Sequence, residues 1–206
     1  MNENTSKVRS RTTLILMLLV FTAPVILAWL VFFVFPEYQP TGTMNHGQLV
    51  TPVRPLSGFS LNDGKGGAID HNALKGKWTY VYLADGACGQ SCVQQLYKIR
   101  QVRLTQGKNI DRLQRLFLWN ADGVSEAQRT ELAAHFPGLI IAQLDQGQSS
   151  GLVEIFALGD DIAPLSAGRI YLVDPLGNLM MSYEADAEPR GIIKDLERLL
   201  KYTGLG

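Results

Sequence analysis

Cys88 and Cys92 are the only two cysteines among 206 residues, and they stand four positions apart. Two cysteines are too few for a disulfide scaffold, so a lone close pair points to redox chemistry or to metal binding. The run Trp78-Thr79-Tyr80-Val81-Tyr82-Leu83 reads as a strand, and Ser91 to about Thr105 holds neither proline nor glycine and reads as a helix. The pair therefore falls where a strand hands over to a helix. There the free N–H groups and the helix dipole stabilise an anion, which favours a thiolate at Cys88. Cys92 is one turn on, on the same face. Neighbouring turns bring Cα atoms to about 6 Å, inside the range a disulfide tolerates. The pair can close reversibly, or hold one soft metal ion between two thiolates. Gly89 and Ser91 are small and leave the site open to a partner. The plainer alternative is a static bridge or simple packing.

Other chemistry-bearing residues are sparse. Asp85 directly precedes the cysteine loop and reads equally as a proton shuttle or as an ordinary turn aspartate. The three histidines are His46 near Met44, His71, and His135 at a helix end. Each reads as solvent-facing or capping before it reads as a ligand. Met180 and Met181 are adjacent in a strand, so only one faces the core.

The elements that position the pair follow from hydrophobic period and turn residues. Phe59, Leu61 and Asp63-Gly64 suggest an opening hairpin. After the strand and helix around the cysteines come a strand at Leu113 to Trp119 and a helix from Ser125 to His135. Ser125 and Gln128 have capping-box spacing. Then follow a strand at Leu139 to Leu144, a helix at Gly151 to Leu158, a strand at Arg169 to Val173, and a return strand at Leu179 to Tyr183 across an Asp174-Pro175-Leu176-Gly177-Asn178 turn. Val93, Leu96, Tyr97, Arg100 and Leu104 form a helical stripe. Pro189 opens a last helix with Ile192, Ile193, Leu196, Leu199 and Leu200 on one face, ending at Gly204. Alternation gives right-handed parallel crossovers and the tight turn gives a closing hairpin. The fold class is α/β, a thioredoxin-like mixed sheet with helices on both faces, occupying residues 56–206.

Thr12 to Phe35 carries no charge and is long enough to cross a bilayer, which takes about 20 apolar residues. Lys7, Arg9 and Arg11 precede it and Glu37 follows. The positive-inside rule puts residues 1–11 in the cytoplasm and everything after the span outside. A cleaved signal peptide would have a shorter apolar run and a small-residue cleavage site. Glu3 and the absence of an Arg-rich leader favour a bacterial inner membrane, with a periplasmic domain, over a mitochondrial one. Pro24 sits mid-span, where it would kink the helix. Residues 36–55, rich in Pro, Gly, Thr and Asn, read as a linker. Acidic and basic residues balance at 19 each, and without a basic patch a nucleic-acid partner is not expected.

The single span, the linker, Cys88-Gly89-Gln90-Ser91-Cys92 opening a helix, and Tyr171-Leu172-Val173-Asp174-Pro175-Leu176-Gly177 together resemble the Sco/SenC family. The architecture matches over the whole chain, the motifs only at those two stretches. The resemblance implies a thioredoxin-like protein that binds copper and assembles cytochrome c oxidase. It implies metal-binding roles for Cys88 and Cys92. The family's third ligand, a histidine shortly before the hairpin strand, has no counterpart in Ala163-Pro164-Leu165-Ser166-Ala167-Gly168-Arg169; Ser166 stands about where it would fall. The family's proline inside the cysteine loop is replaced by Gly89. The donors that remain suit copper(I), while copper(II) prefers imidazole. Pro164 is the nearest candidate for the proline that thioredoxins set against their cysteines, several residues early. The function expected is a membrane-anchored assembly factor acting as thiol–disulfide reductase or copper(I) carrier. The expected partner is a cytochrome c oxidase subunit or another periplasmic thiol protein. A general periplasmic oxidoreductase more often uses C-x-x-C, and no Thr-x-x-Cys of the peroxiredoxin kind is present. A non-catalytic membrane-tethered interaction module is the remaining alternative.

Overall fold

The computed structural model describes residues 3–35, 44–63, 67–144 and 150–202. The chain divides into two compact units, Met1–Met44 and Asn45–Gly206. In the first, Glu3–Phe33 form helix α1, with Pro24 inside it. Its Thr12–Phe33 stretch is a candidate membrane span of 22 residues with none of its apolar window buried. Its length and apolar composition suit a membrane span.

The second unit begins with β1 (Gln48–Pro55), β2 (Ser60–Asn62) and β3 (Ala68–Asp70). Next come β4 (Trp78–Asp85), α2 (Gln90–Leu104), β5 (Leu113–Asn120), α3 (Glu126–His135) and β6 (Leu139–Gln143). The chain closes with α4 (Ser150–Ile155), β7 (Ile170–Val173), β8 (Asn178–Tyr183) and α5 (Pro189–Tyr202). The eight strands form one sheet in the order β1-β8-β7-β4-β5-β6-β2-β3. β4, β5 and β6 run parallel, while β7, β8 and β1 pair antiparallel. This is the mixed, thioredoxin-like sheet expected from the order of elements.

Both faces of the sheet are covered, which is why β4 reads as a nearly unbroken apolar run. Alternate residues serve opposite cores. Tyr80, Tyr82, Phe117 and Trp119 pack with α2, α3 and α5. Val81, Leu83, Leu116 and Leu118 pack on the other face with Leu152 and Phe156. The capping box at Ser125 and Gln128 is present in both directions. In the closing hairpin Asp174 Oδ1 accepts from the amides of Leu176 and Asn178 at 2.9 and 2.8 Å. Gly177, at φ 88°, takes the left-handed position that the turn needs.

Three expectations need correction. The linker expected over residues 36–55 does not reach Pro55, because Gln48–Pro55 is a sheet strand paired with β8. Pro52, Pro55 and a register break between Leu49 and Arg54 interrupt the alternation that would have marked it. Residues 36–43 lie outside the described residues, as do Gly64 of the opening hairpin and Gly204. Of the expected stripe Val93, Leu96, Tyr97, Arg100 and Leu104, only Leu96 is in the packed face of α2; Arg100 is half-buried, and Val93, Tyr97 and Leu104 are 40%, 53% and 49% exposed. The buried face runs through Cys92, Leu96, Ile99 and Val102 instead. Finally, the helix expected to reach Leu158 stops at Ile155.

Strand register also fixes which residues share an end of the sheet. Tyr82 pairs with Ile170, and Ile170 with Tyr183. The neighbouring Ser182 pairs with Gln48. Through Ser182 and Tyr171, Gln48 lies level with Val81, midway along β4, and β1 starts from the side of the sheet toward which β4 runs.

Candidate functional site

Cys88 and Cys92 are joined in a disulfide, with Cα atoms 5.2 Å apart. Cys92 is 5% exposed and part of the core under α2, while Cys88 is only partly buried and packs at that core's edge. The two sulfurs are thus unequal, one presented to solvent and one shielded. Cys88 lies one residue before the helix cap Gly89, and Cys92 is the third helical residue. Gly89 makes no side-chain capping bond, and no acidic residue occupies the first turn. The first-turn N–H groups and the positive end of the dipole face the Cys88 side unneutralised.

The loop that carries Cys88 is held from β5. Gly86 donates its N–H to the Asn120 carbonyl at 2.8 Å. Trp119 Nε1 donates to the Gly86 carbonyl at 2.7 Å. Asn120 Nδ2 donates to Asp85 Oδ1 at 2.7 Å, so Asp85 is engaged as a loop anchor. Gly86 has φ 65°, a conformation that a side chain would strain. Beside Cys88 lies a cleft of about 310 Å³ walled by Trp119, Val124, Leu132 and Phe136, with Glu131 and His135 also on its lining. The sequence reading missed Trp119 and Asn120 as parts of the site. Their signal is positional, since they end the strand adjacent to the one that leads into the cysteines.

Among the described residues no group of three or more His, Cys, Asp or Glu side chains is placed to hold a metal ion. Once the disulfide is reduced, the donor set the pair would offer is two thiolates. It fits a soft monovalent ion in two-coordinate geometry and does not fit a copper(II) centre, which wants imidazole. Ser166 bonds locally, its Oγ donating to the Ala163 carbonyl at 3.2 Å. His135 Nδ1 is 2.9 Å from the Glu131 carbonyl. His71 opens a short 3₁₀ turn. His46 pairs with Asp195 at 3.1 Å. Met181 is buried and Met180 only partly so.

At the same pole Arg169, 5% exposed, joins two acids. Its Nε and Nη2 donate to both Glu184 oxygens at 3.0 Å each, and Nη2 also meets Asp160. The hydrogen bond from Arg169 holds the Asp160 carboxyl below its ordinary value of 3.8. A depressed carboxyl contributes stability that is complete above its unfolded value and is lost as pH falls through the folded one. Stability should therefore fall below about pH 4. In Arg169→Gln the part of that fall due to Asp160 should vanish, as denaturant midpoints from pH 6 down to pH 3 will show.

The uncapped helix start gives a second expectation. Nothing lies within 4 Å of the position a Gly89 Cβ would take. An aspartate there has room to cap Ser91 or Cys92, adding about 0.5–1 kcal/mol to stability. Its charge opposes a thiolate at Cys88, so Gly89→Asp should be more stable yet slower to react with a thiol-directed alkylating agent.

Residues 78–203 match the family described as a transmembrane-like, thioredoxin-like, C-terminal domain. Comparison with curated proteins finds no match. Among solved structures, copper-bound ScoI from Bradyrhizobium japonicum shares 23% identity, covers 69% of this chain and 98% of its own, and superposes with a TM-score of 0.55. Yeast Sco1 shares 21% identity over 72% of this chain and 99% of its own, with a TM-score of 0.58. BsSco, described as a Sco-family cytochrome c oxidase assembly protein with a disulfide switch, shares 16% identity over 76% and 99%, with a TM-score of 0.57. At these identities the similarity is one of fold.

Proposed function

Because this chain belongs to the transmembrane-like, thioredoxin-like C-terminal-domain family, we propose that it is a membrane-anchored thiol–disulfide exchange protein acting in the assembly of a cytochrome c oxidase. The observation that carries this reading is the inequality of the pair, a presented Cys88 and a shielded Cys92 at an uncapped helix start beside an open cleft. In the reduced state the Cys88 thiolate attacks one sulfur of a client disulfide. A mixed disulfide forms and the client's other sulfur leaves as a thiolate. The Cys92 thiolate then attacks the Cys88 sulfur, closing the internal disulfide and releasing the client's second thiolate. The client gains two electrons and the pair loses two. An exported dithiol donor returns the pair to its reduced form.

The domain is periplasmic in this reading, tethered by α1 to a bacterial inner membrane. The test uses the reduced full-length protein and a peptide carrying an oxidase-type pair of cysteines as a disulfide. Stoichiometric appearance of two peptide thiols, absent in Cys88→Ala/Cys92→Ala, supports exchange. Its absence in the wild type overturns it.

Copper(I) carriage is a second reading, favoured by the copper held in the Bradyrhizobium japonicum ScoI structure and by the two-thiolate donor set. A copper(I) titration against a competing chelator checks it, with one equivalent bound by the reduced protein and none by the double alanine variant. If both activities are absent, the interaction-module reading stands.

A further inference from the structure

Val93, Tyr97 and Leu104 are apolar residues of α2 that the core does not use. With half-buried Arg100 among them, their spacing of four, three and four positions puts them on one side of the helix. Val93 also lines the cleft beside Cys88. The stripe therefore begins at the reactive sulfur and runs about 16 Å down α2, at about 1.5 Å per residue. Single exposed apolar side chains are ordinary, but a row continuous with a reactive cleft marks a surface made for contact.

The far end of the stripe is basic. α2 carries Lys98, Arg100 and Arg103 and no acidic residue. Lys98 Nζ donates to the carbonyls of Ala185 and Ala187 at 2.9 and 3.0 Å. Arg103 Nε donates to the Leu113 carbonyl at 2.9 Å, which holds it at the start of β5. Arg115, two residues further along β5, is 3% exposed. Its Nη2 donates to the Pro137 carbonyl at 2.7 Å, while its Nε and Nη1 have no partner. Burial first, then the like charges of Arg103 and Arg100, bring its pKa down to about 10. Among the described residues none of these three arginines makes an ion pair. Such a cluster is costly to the free protein. A carboxylate arriving at Arg100 offsets the repulsion and takes the two-pronged geometry that a guanidinium offers.

The two ends have a fixed spacing. Trp119 walls the cleft, and Arg115 lies four residues earlier on the same strand, about 13 Å away at about 3.3 Å per residue. Glu131 on the cleft lining opposes a carboxylate at the near end, so charge also sets which way a bound segment runs. We infer that this face of α2 docks the client: a segment of the client protein lays an apolar side chain beside its disulfide on Val93 and Tyr97 and sets a carboxylate, about four extended residues from its cysteine, against Arg100. This rests on the exchange reading above and names the chemistry of the client that the pair would serve.

The test uses the reduced full-length protein in detergent micelles and three fluorescent disulfide peptides. Each has a leucine next to its cysteine pair and, four positions beyond the nearer cysteine, a glutamate, a glutamine or a lysine. Below saturation and at low salt, the wild type should reduce the glutamate peptide at least about threefold faster than the glutamine peptide, with the lysine peptide slowest. Added salt should shrink the preference. Arg100→Glu should reverse the order of the glutamate and lysine peptides and leave the glutamine peptide within about twofold, which a damaged fold would not do. Tyr97→Ser should slow all three by about threefold or more without changing their order. Equal rates on the three peptides in the wild type overturn the docking face. So does an equal fall on all three in Arg100→Glu. A dimer seen by sedimentation and lost in Tyr97→Ser assigns the stripe to a second copy and overturns it too. Peptides with serine in place of both cysteines, followed by fluorescence polarisation, read docking without exchange. Acid-selective binding with no disulfide peptide reduced overturns the exchange reading and keeps the docking face. Reduction without acid-selective binding does the opposite.

Discussion

Cys92→Ser is expected to accumulate a mixed disulfide with the client peptide through Cys88, stable on a non-reducing gel and released by reductant. Cys88→Ser should form no such adduct and should slow peptide reduction by at least about a thousandfold, as loss of a covalent nucleophile does. The order of roles follows from burial. Cys88 meets solvent and a cleft, while Cys92 is packed beneath α2 and is reached readily only from Cys88. An adduct trapped at Cys92 in the Cys88→Ser protein would reverse the assignment. If both single variants keep wild-type rates, the pair has no part in exchange. In the copper(I) reading, loss of either thiol should abolish binding, because among the described residues no group of three or more His, Cys, Asp or Glu side chains is placed to hold the ion.

The cysteine pair, its place between strand and helix, and the order of the five central strands were legible in the sequence. Each rests on local signals, such as the β-branched and aromatic run Trp78–Leu83 or the Asp174–Asn178 turn. What was hidden depends on contacts distant in sequence. Gln48–Pro55 looked like linker because two prolines mask its alternation and its partner β8 lies far along the chain. His46 looked like a loop histidine because its acid is 149 positions away. On α2 the apolar period allowed two neighbouring stripes, and only the sheet's position decides between Val93–Tyr97 and Cys92–Leu96–Ile99. Asp195 did leave a trace, as a single acid set inside the Ile192–Leu196 face.

Trp119→Ala is expected to cost about 3–5 kcal/mol, the usual range for emptying a large aromatic site in a core. Trp119 is 2% exposed and stacks on Phe117 with ring centroids 5.2 Å apart. It also walls the cleft beside Cys88 and holds the Gly86 carbonyl through Nε1. The more informative variant is Trp119→Phe, which keeps most of the apolar volume and drops the donor. It should cost about 1–2 kcal/mol by leaving a carbonyl without its bond. The sign of its effect on Cys88 also follows. A loosened Gly86–Gly89 loop holds the sulfur less firmly against the helix start, so the reduced Cys88 should react more slowly with an alkylating agent. Denaturant midpoints and the pH dependence of alkylation separate the two effects. An unchanged midpoint in Trp119→Ala would show that the ring does not support the core.

The brevity of the disulfide loop bears on how the protein withstands changes of redox state. Bridging Cys88 to Cys92, four positions apart, encloses only the Gly89–Ser91 start of α2 and ties together no two strands of the sheet. In the chain-entropy view, a ring of that size restricts the unfolded ensemble by only about 2 kcal/mol. A long-range bridge would make reduction a step toward unfolding. Here both hydrophobic layers and every strand pairing rest on contacts other than this bond, so its opening in the proposed exchange removes none of them.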